Sequence, residues 1–215
     1  MRVIAGIAKG RRLRAAPGTR PTADAVKEAL FSTLGPRVAG RRVLDLYAGS
    51  GALGIEALSR GAAAATFVER DPRAVSVIRT NLEAAGFSGQ ARVVEAPVER
   101  FLSSAPSHAS GASGPPPGRS GQPEPAGPSG LEAGAFDLVL ADPPYALDPA
   151  GVLERLSWSA VLAPGALVAI EVAAGSLPVE PAHAATPPGG LAVRAVRRYG
   201  DSAIVYAGYA EGAEP

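Results

Sequence analysis

From Arg42 onward the chain alternates short apolar runs with amphipathic stretches. VLDLYA, ATFVE, ARVVE, FDLVLA and ALVAIEV are brief runs rich in aliphatic and branched side chains, the pattern of strands covered on both faces. A helix is predicted near 53–60, and a second from Pro72 to about Ala85, where Val75, Ile78, Leu82 and Ala85 recur at helical spacing with Arg73, Arg79 and Glu83 between them. That helix packs one face on the sheet. Alternating strand and helix signals predict an α/β fold, a mostly parallel sheet with helices on both faces.

The two ends of the chain read differently. At the front, RVIAGIAKGRRLRA reads as two short strands around a Lys-Gly turn, then a linker, then a helix opened by Pro21, capped by Thr22 and carrying Val26, Ala29, Leu30 and Leu34 on one face. At the back, LAVRAVRRYGDSAIVYAGY reads as two strands joined by a tight Gly-Asp turn, which adds an antiparallel edge and brings the sheet to seven strands. Residues 103–134 break the rhythm. Pro, Gly or Ser fill 21 of these 32 positions, and such a segment cannot bury a core, so it reads as a disordered insertion in a surface connection, with a lid or partner motif as the functional alternative. The organisation expected is a basic hairpin extension over 1–20 and one catalytic domain over 21–215 that contains this insertion.

Composition narrows the function. The 215 residues include no cysteine, which excludes disulfides and thiolate metal sites, and the two histidines, His108 and His183, lie in polar or Pro-rich surroundings, so no metal is expected. The first residues lack the apolar core of a secretion signal and no stretch approaches eighteen apolar residues, so a cytoplasmic protein without a membrane span is expected. The net charge of +1 hides a division: residues 1–42 carry ten Lys and Arg against Asp24 and Glu28, and the remainder carries eleven against eighteen acids. A basic arm on an acidic body suits a polyanion-binding appendage, here Arg2, Lys9, Arg11, Arg12, Arg14 and Arg20, against the blander alternative of a solvated basic end.

Two motifs carry chemistry. In Asp45-Leu-Tyr47-Ala-Gly49-Ser50-Gly51-Ala-Leu-Gly54 a strand ends in an acid and turns through a Gly-rich loop into a helix, so a ligand can approach backbone closely. The spacing also matches a dinucleotide fingerprint. Asp45 argues against that, because a carboxylate at the loop mouth opposes a pyrophosphate but suits the ammonium and sulfonium of S-adenosylmethionine. Glu69, at the end of the next strand, could take two ribose hydroxyls in either case.

The second motif, Asp142-Pro143-Pro144-Tyr145, follows FDLVLA, which puts it at the carboxyl end of a strand, where open α/β sheets bind ligands. An aromatic amine has a delocalised lone pair. Asp142 and the Pro143 carbonyl can each accept a hydrogen bond from it, orient the nitrogen and stabilise the charge that develops there. Pro143 and Pro144 stiffen the turn, and Tyr145 offers a face on which a base can stack. A plain Pro-rich turn is the alternative.

With these motifs in place the chain resembles the bacterial 16S rRNA guanine-N2 methyltransferases that modify guanine 966. RVIAG…KGRRL, RPTADAVKEALF, VLDLYAGSGALGIEALSRGA, FVERD, FDLVLADPPY, LAPGALVAIE and RRYGDSAIVYA carry the likeness over nearly the whole chain apart from the insertion. The resemblance implies a class I, Rossmann-like methyltransferase fold with an N-terminal β-hairpin, acting as a monomer on 16S rRNA in the small subunit or its assembly intermediate. It implies that Asp45, Tyr47, Gly49, Ser50, Gly51, Glu69, Arg70, Glu95, Ala96 and Asp142 bind S-adenosylmethionine. Asp142, Pro143, Pro144 and Tyr145 would hold the guanine amino group, and Arg2, Lys9, Arg11, Arg12, Arg14 and Arg20 would meet RNA.

The chain departs from the family pattern at Pro97, where an acid for the adenine amino group is usual, so that a backbone carbonyl or Glu95 would substitute. It departs also at Ala25 and Ser32, where Arg and Asn are typical. Rival readings are an amino methyltransferase acting on DNA adenine, another RNA base or a glutamine side chain, an NAD-dependent oxidoreductase, and a non-catalytic RNA-binding assembly factor.

Overall fold

A computed structural model describes residues 1–17, 24–104, 135–144, 151–152, 161–176 and 191–209. The chain runs α1 (Asp24–Leu34), β1 (Arg42–Leu46), α2 (Ala52–Ser59), β2 (Ala64–Glu69), α3 (Pro72–Ala85), β3 (Ala91–Glu95), α4 (Val98–Ser103), β4 (Phe136–Ala141), β5 (Leu162–Ala173), β6 (Leu191–Tyr199) and β7 (Ser202–Tyr209). The strands form one seven-stranded sheet in the order β3-β2-β1-β4-β5-β7-β6. β1 to β5 pair parallel, and β7 runs antiparallel to both β5 and β6. The expected class and the antiparallel edge are both present. The Thr22 cap and most of the 103–134 insertion lie outside the described residues, although α4 reaches Ser103.

Alternation along each strand sorts the core into two layers. Val43, Phe67, Leu138, Leu140, Ala169 and Ile204 face one layer, which α1, α2 and α3 cover with Leu30, Ile55 and Ile78. Leu44, Leu46, Val68, Val139, Ile170 and Val205 face the other, with Val98, Phe101 and Leu102 of α4. At about 1.5–3 kcal/mol for each large apolar side chain removed from water, both layers are needed to offset chain entropy. Between β4 and β5 the register shifts from Phe136 opposite Leu162 to Leu138 opposite Leu167. Pro164, which cannot donate to a ladder, and Gly165, with φ +74°, form the irregularity.

α3 begins and ends where local chemistry dictates. The Asp71 carboxylate accepts from the Arg73 amide at 2.9 Å, Pro72 occupies the first turn, and Gly86 closes the helix in the left-handed region. α2 is a different kind of helix, because all eight of its residues are buried, Glu56 and Ser59 included. One side of it packs on the sheet, and the N-terminal residues 1–17 supply the cover on the other: Val3, Ala8 and Leu13 join the same apolar layer as α1 to α3. The expected hairpin there is present in its shortest form, a single antiparallel bridge between Arg2 and Arg12.

Candidate active site

The sheet order makes β1 the point where the chain reverses direction, since β2 lies on one side of it and β4 on the other. The segments leaving β1 and β4 therefore diverge, and the crevice at their carboxyl ends is where this architecture holds ligands. Leu46 pairs with Ala141 across these strands. Tyr47 and Asp142 follow as neighbours, so the two motifs found 88 or more positions apart in sequence meet at one place.

The loop leaving β1 is tightly specified. Tyr47 has φ +56°, the one non-glycine residue with positive φ among the described residues, a conformation that costs energy and persists where surroundings impose it. The Ala48 amide donates to the Val68 carbonyl at 3.1 Å, the Gly49 amide to Glu69 Oε2 at 2.8 Å and the Gly51 amide to the Ala48 carbonyl at 2.7 Å. Gly51 turns the chain into α2 at φ +78°. Gly54 serves packing: a Cβ there would lie 2.3 Å from the Phe67 ring and 3.0 Å from Asp45 Oδ2.

Asp45 lies under this loop rather than at its mouth. Its side chain is 1% exposed, and Oδ2 accepts from the Gly54 amide at 2.8 Å. Burial holds its carboxyl well above the usual carboxylate range; the Gly54 bond opposes that rise, and the negative Asp142 and Glu69 add to it. Asp45 thus anchors the first turn of α2 from beneath the loop, and its burial favours the neutral carboxyl there.

Glu69, half-buried, links three loops. Oε1 accepts from the Arg70 and Asp71 amides at 2.7 and 2.9 Å, Oε2 accepts from Gly49, and the Glu69 carbonyl accepts from the Ala96 amide at 3.0 Å. Oε1 already accepts two bonds, so the remaining acceptor capacity for a hydroxyl lies on Oε2. Ser50 is buried, whereas Arg70 and Glu95 are exposed.

Pro97 stands outside α4 as its N-cap residue. An acid does reach this side of the crevice, two residues on. The Tyr47 hydroxyl donates to Glu99 Oε1 at a long 3.4 Å. Sequence reading passed over Glu99; its place in the first turn of a helix that follows a strand end was the available signal. Asp142 is half-buried, Pro143 buried and Pro144 exposed, while Tyr145 lies outside the described residues. No group of three or more His, Asp or Glu among the described residues is arranged to hold a metal ion.

The basic arm lies beside this loop. Arg2, Lys9, Arg11, Arg12 and Arg14 are exposed, and Arg20 lies outside the described residues. What holds the arm is a set of buried polar side chains that sequence reading did not single out. Glu56, 0% exposed, accepts from the Ile4 and Ala5 amides at 2.7 and 3.0 Å and pairs with Lys27 at 3.6 Å and Arg60 at 2.9 Å. Ser59 Oγ donates to the Ala5 carbonyl and accepts from the Ala8 amide, and its own carbonyl accepts from Ile7. Asn81 bonds both polar atoms of the Arg14 backbone. The clue was a polar pair, Glu56 and Ser59, inside an otherwise apolar helix.

Comparison with known proteins agrees with this geometry. The family model described as "Conserved hypothetical protein 95" matches residues 1–112, just over half of the chain. The Ribosomal RNA small subunit methyltransferase D of Haemophilus influenzae is 34% identical over 178 residues, covering 80% of this chain and 78% of that protein. The chain belongs to this family. The protein of the same name from Escherichia coli is 48% identical over 104 residues, 47% of this chain. Against the first curated relatives the match spans 58% and 52% of their own length.

Among solved structures, the Escherichia coli protein yhhF superposes with a TM-score of 0.72 at 29% identity over 99% of both chains. An RNA methyltransferase from Salinibacter ruber, solved with S-adenosyl-L-homocysteine, shares the fold at 14% identity, with a TM-score of 0.57 over 91% of this chain and 97% of that one. The class I methyltransferase fold expected from the sequence is thus the fold observed.

Proposed function

We propose that this protein transfers a methyl group from S-adenosylmethionine to the exocyclic N2 amino group of a guanine in 16S rRNA, position 966, within the small subunit or its assembly intermediate in the cytoplasm. The observation that carries the reading is the meeting of the glycine loop and the Asp142-Pro143 turn at the reversal point of the sheet. The acceptor set suits a cationic ligand: a Gly-rich loop that lets it approach backbone closely, a Glu69 carboxylate with acceptor capacity left on Oε2, and the Asp142 carboxylate at the crevice. Glu69 and the loop from Tyr47 to Gly51 would hold the cofactor, with Glu99 or the backbone near Ala96 in place of the acid missing at Pro97.

When bound, S-adenosylmethionine supplies an electrophilic methyl carbon on a positively charged sulfur. Asp142 and the Pro143 carbonyl accept hydrogen bonds from the guanine amine, hold its nitrogen in line with that carbon and stabilise the positive charge that grows on the nitrogen; the surplus amine proton then leaves to solvent. Buried Pro143 keeps its carbonyl from drifting. Tyr145 follows directly and would stack on the base, and the exposed arginines of the arm would neutralise phosphates.

The test is transfer of labelled methyl to undermethylated small-subunit particles, naked 16S rRNA and duplex DNA, with the product nucleoside identified by mass spectrometry. N2-methylguanosine from particles or rRNA, lost in Asp142→Ala, is the expected result. Label in DNA or in protein moves the assignment to another amino methyltransferase, and label nowhere moves it to a non-catalytic RNA-binding factor.

A further inference from the structure

Asn81 belongs to neither motif, yet it touches both the arm and the loop. It sits in the last part of α3, 1% exposed. Its Nδ2 donates to the Ser50 carbonyl at 2.9 Å and to the Arg14 carbonyl at 3.0 Å, and its Oδ1 accepts from the Arg14 amide at 2.8 Å. Both donors and an acceptor lone pair of one buried amide are thus divided between the glycine loop and the arm. A second contact runs alongside: Met1 accepts from Leu13 through its carbonyl at 3.1 Å, while Ser50 Oγ approaches Met1 Sδ at 3.6 Å. The side chain of Arg14 is exposed at the far end of this bridge.

We propose that Asn81 is a positioning residue that links nucleic acid on the basic arm to cofactor on the glycine loop. The inference rests on the methyltransferase reading above. Movement of the Arg14 backbone must either carry the Asn81 amide with it or leave buried donors and acceptors unmatched, and an unmatched buried polar group is expensive. The same amide holds the carbonyl of Ser50. Phosphates bound by Arg11, Arg12 and Arg14 therefore restrain the arm, the restrained arm fixes Asn81, and Asn81 fixes the loop before the cofactor arrives. Ordering the loop in advance removes part of the entropy that the cofactor would otherwise lose. Linkage is reciprocal, so bound cofactor strengthens RNA binding by the same factor.

The experiment is calorimetric titration of S-adenosylhomocysteine into the full chain, alone and saturated with an unmodified 16S rRNA transcript, for wild type and three variants. Wild type is expected to bind S-adenosylhomocysteine about fivefold or more tightly in the presence of RNA. Asn81→Asp keeps an acceptor for the Arg14 amide but sets carboxylate oxygen against the two carbonyls. Asn81→Ala removes all three bonds without adding charge, so a folding failure of either, read from its melting curve, leaves the other to decide. In the folded variant the ratio falls to near one.

Arg14→Ala, which leaves the backbone bonds in place, lowers RNA affinity and reduces its salt slope by about one phosphate while keeping the ratio above one. An equal ratio in wild type and the Asn81 variants overturns the linkage, as does a wild-type ratio of one with both ligands bound. Failure of wild type to bind either ligand sinks the methyltransferase reading itself.

Discussion

The N-terminal arm and the C-terminal hairpin carry the same signal in sequence, two short runs around a glycine turn, and end as different structures. The C-terminal pair becomes strands β6 and β7, of nine and eight residues, joined to the sheet through β5. The arm keeps one bridge and a few backbone bonds of its own, and side chains of α2 and α3 bond much of the rest. The reason is the partner each meets. β7 finds a free strand edge on β5 and offers alternating apolar residues, so a ladder continues and Ala203, Val205 and Ala207 fill one layer while Ile204 fills the other. The arm meets the side of a helix, whose backbone is already bonded. Apart from the Ser59 carbonyl at the helix end, which accepts from Ile7, only side chains pair with it there, and a buried carboxylate, hydroxyl and amide do so.

Removing the centre of that arrangement carries the largest expected effect. In Glu56→Ala, Lys27, 1% exposed, loses its buried carboxylate partner and keeps Asp24 and the Arg2 carbonyl, and the amides of Ile4 and Ala5 lose their acceptor. Breaking a buried pair from one side costs about 3–5 kcal/mol. A urea midpoint within error of wild type would show that the arm adds nothing to stability.

Two glycine substitutions sharpen the comparison at a smaller scale. Gly6 and Gly200 both have positive φ, +83° and +60°. A Cβ on Gly6 would sit 1.7 Å from the Ser59 carbonyl oxygen, whereas nothing lies within 4 Å of one on Gly200. Gly200→Ala should therefore cost only the backbone term, about 1–2 kcal/mol. Gly6→Ala should add about 1–3 kcal/mol of steric strain and free the arm, which limited trypsin digestion after Lys9, Arg11 and Arg12 would detect. Equal stability loss and equal digestion would place the two turns in the same class.

Titration at high pH should separate the regions by sign, with the smallest effect. Burial lowers the Lys27 ammonium from its ordinary value of 10.5, against the pull of Glu56 and Asp24. Between that lowered value and 10.5 the unfolded chain holds more protons than the folded one, so this group raises stability as pH climbs through the window. Burial raises the Tyr206 phenol above its ordinary 10.0, outweighing Thr33 and Arg197. Its contribution is complete below 10.0 and is lost as pH rises through the folded value. Lys27→Met should remove an alkaline gain and Tyr206→Phe an alkaline loss in denaturation midpoints measured from pH 8 to 11. Slopes of one sign in both variants would contradict the assignment.

Much of the fold was legible because local signals agreed with the final packing. α3 was readable from Pro72 and its apolar stripe, which match a helix with one solvated side, and the observed caps Asp71 and Gly86 agree with those bounds. The site was legible in part. Spacing placed the glycine loop and the Asp142 turn at strand ends, yet nothing local said that Asp45 would point beneath the loop or that Glu99 would reach Tyr47 from α4. Glu56, Ser59 and Asn81 escaped for a common reason. A polar residue on a helix is ordinarily a solvated one, and the arm, bonded to these side chains across 51 or more positions of the chain, makes them buried.

The sequence by itself determined the seven strands of the sheet, the helices other than α4, the parallel class of the sheet and the two motifs, because periodicity, caps and glycine turns act over a few residues. Tertiary structure decided which polar groups are buried, how the arm is held and which side chains share the crevice. Those outcomes depend on contacts between distant segments, where desolvation and hydrogen-bond pairing are set by what happens to lie opposite.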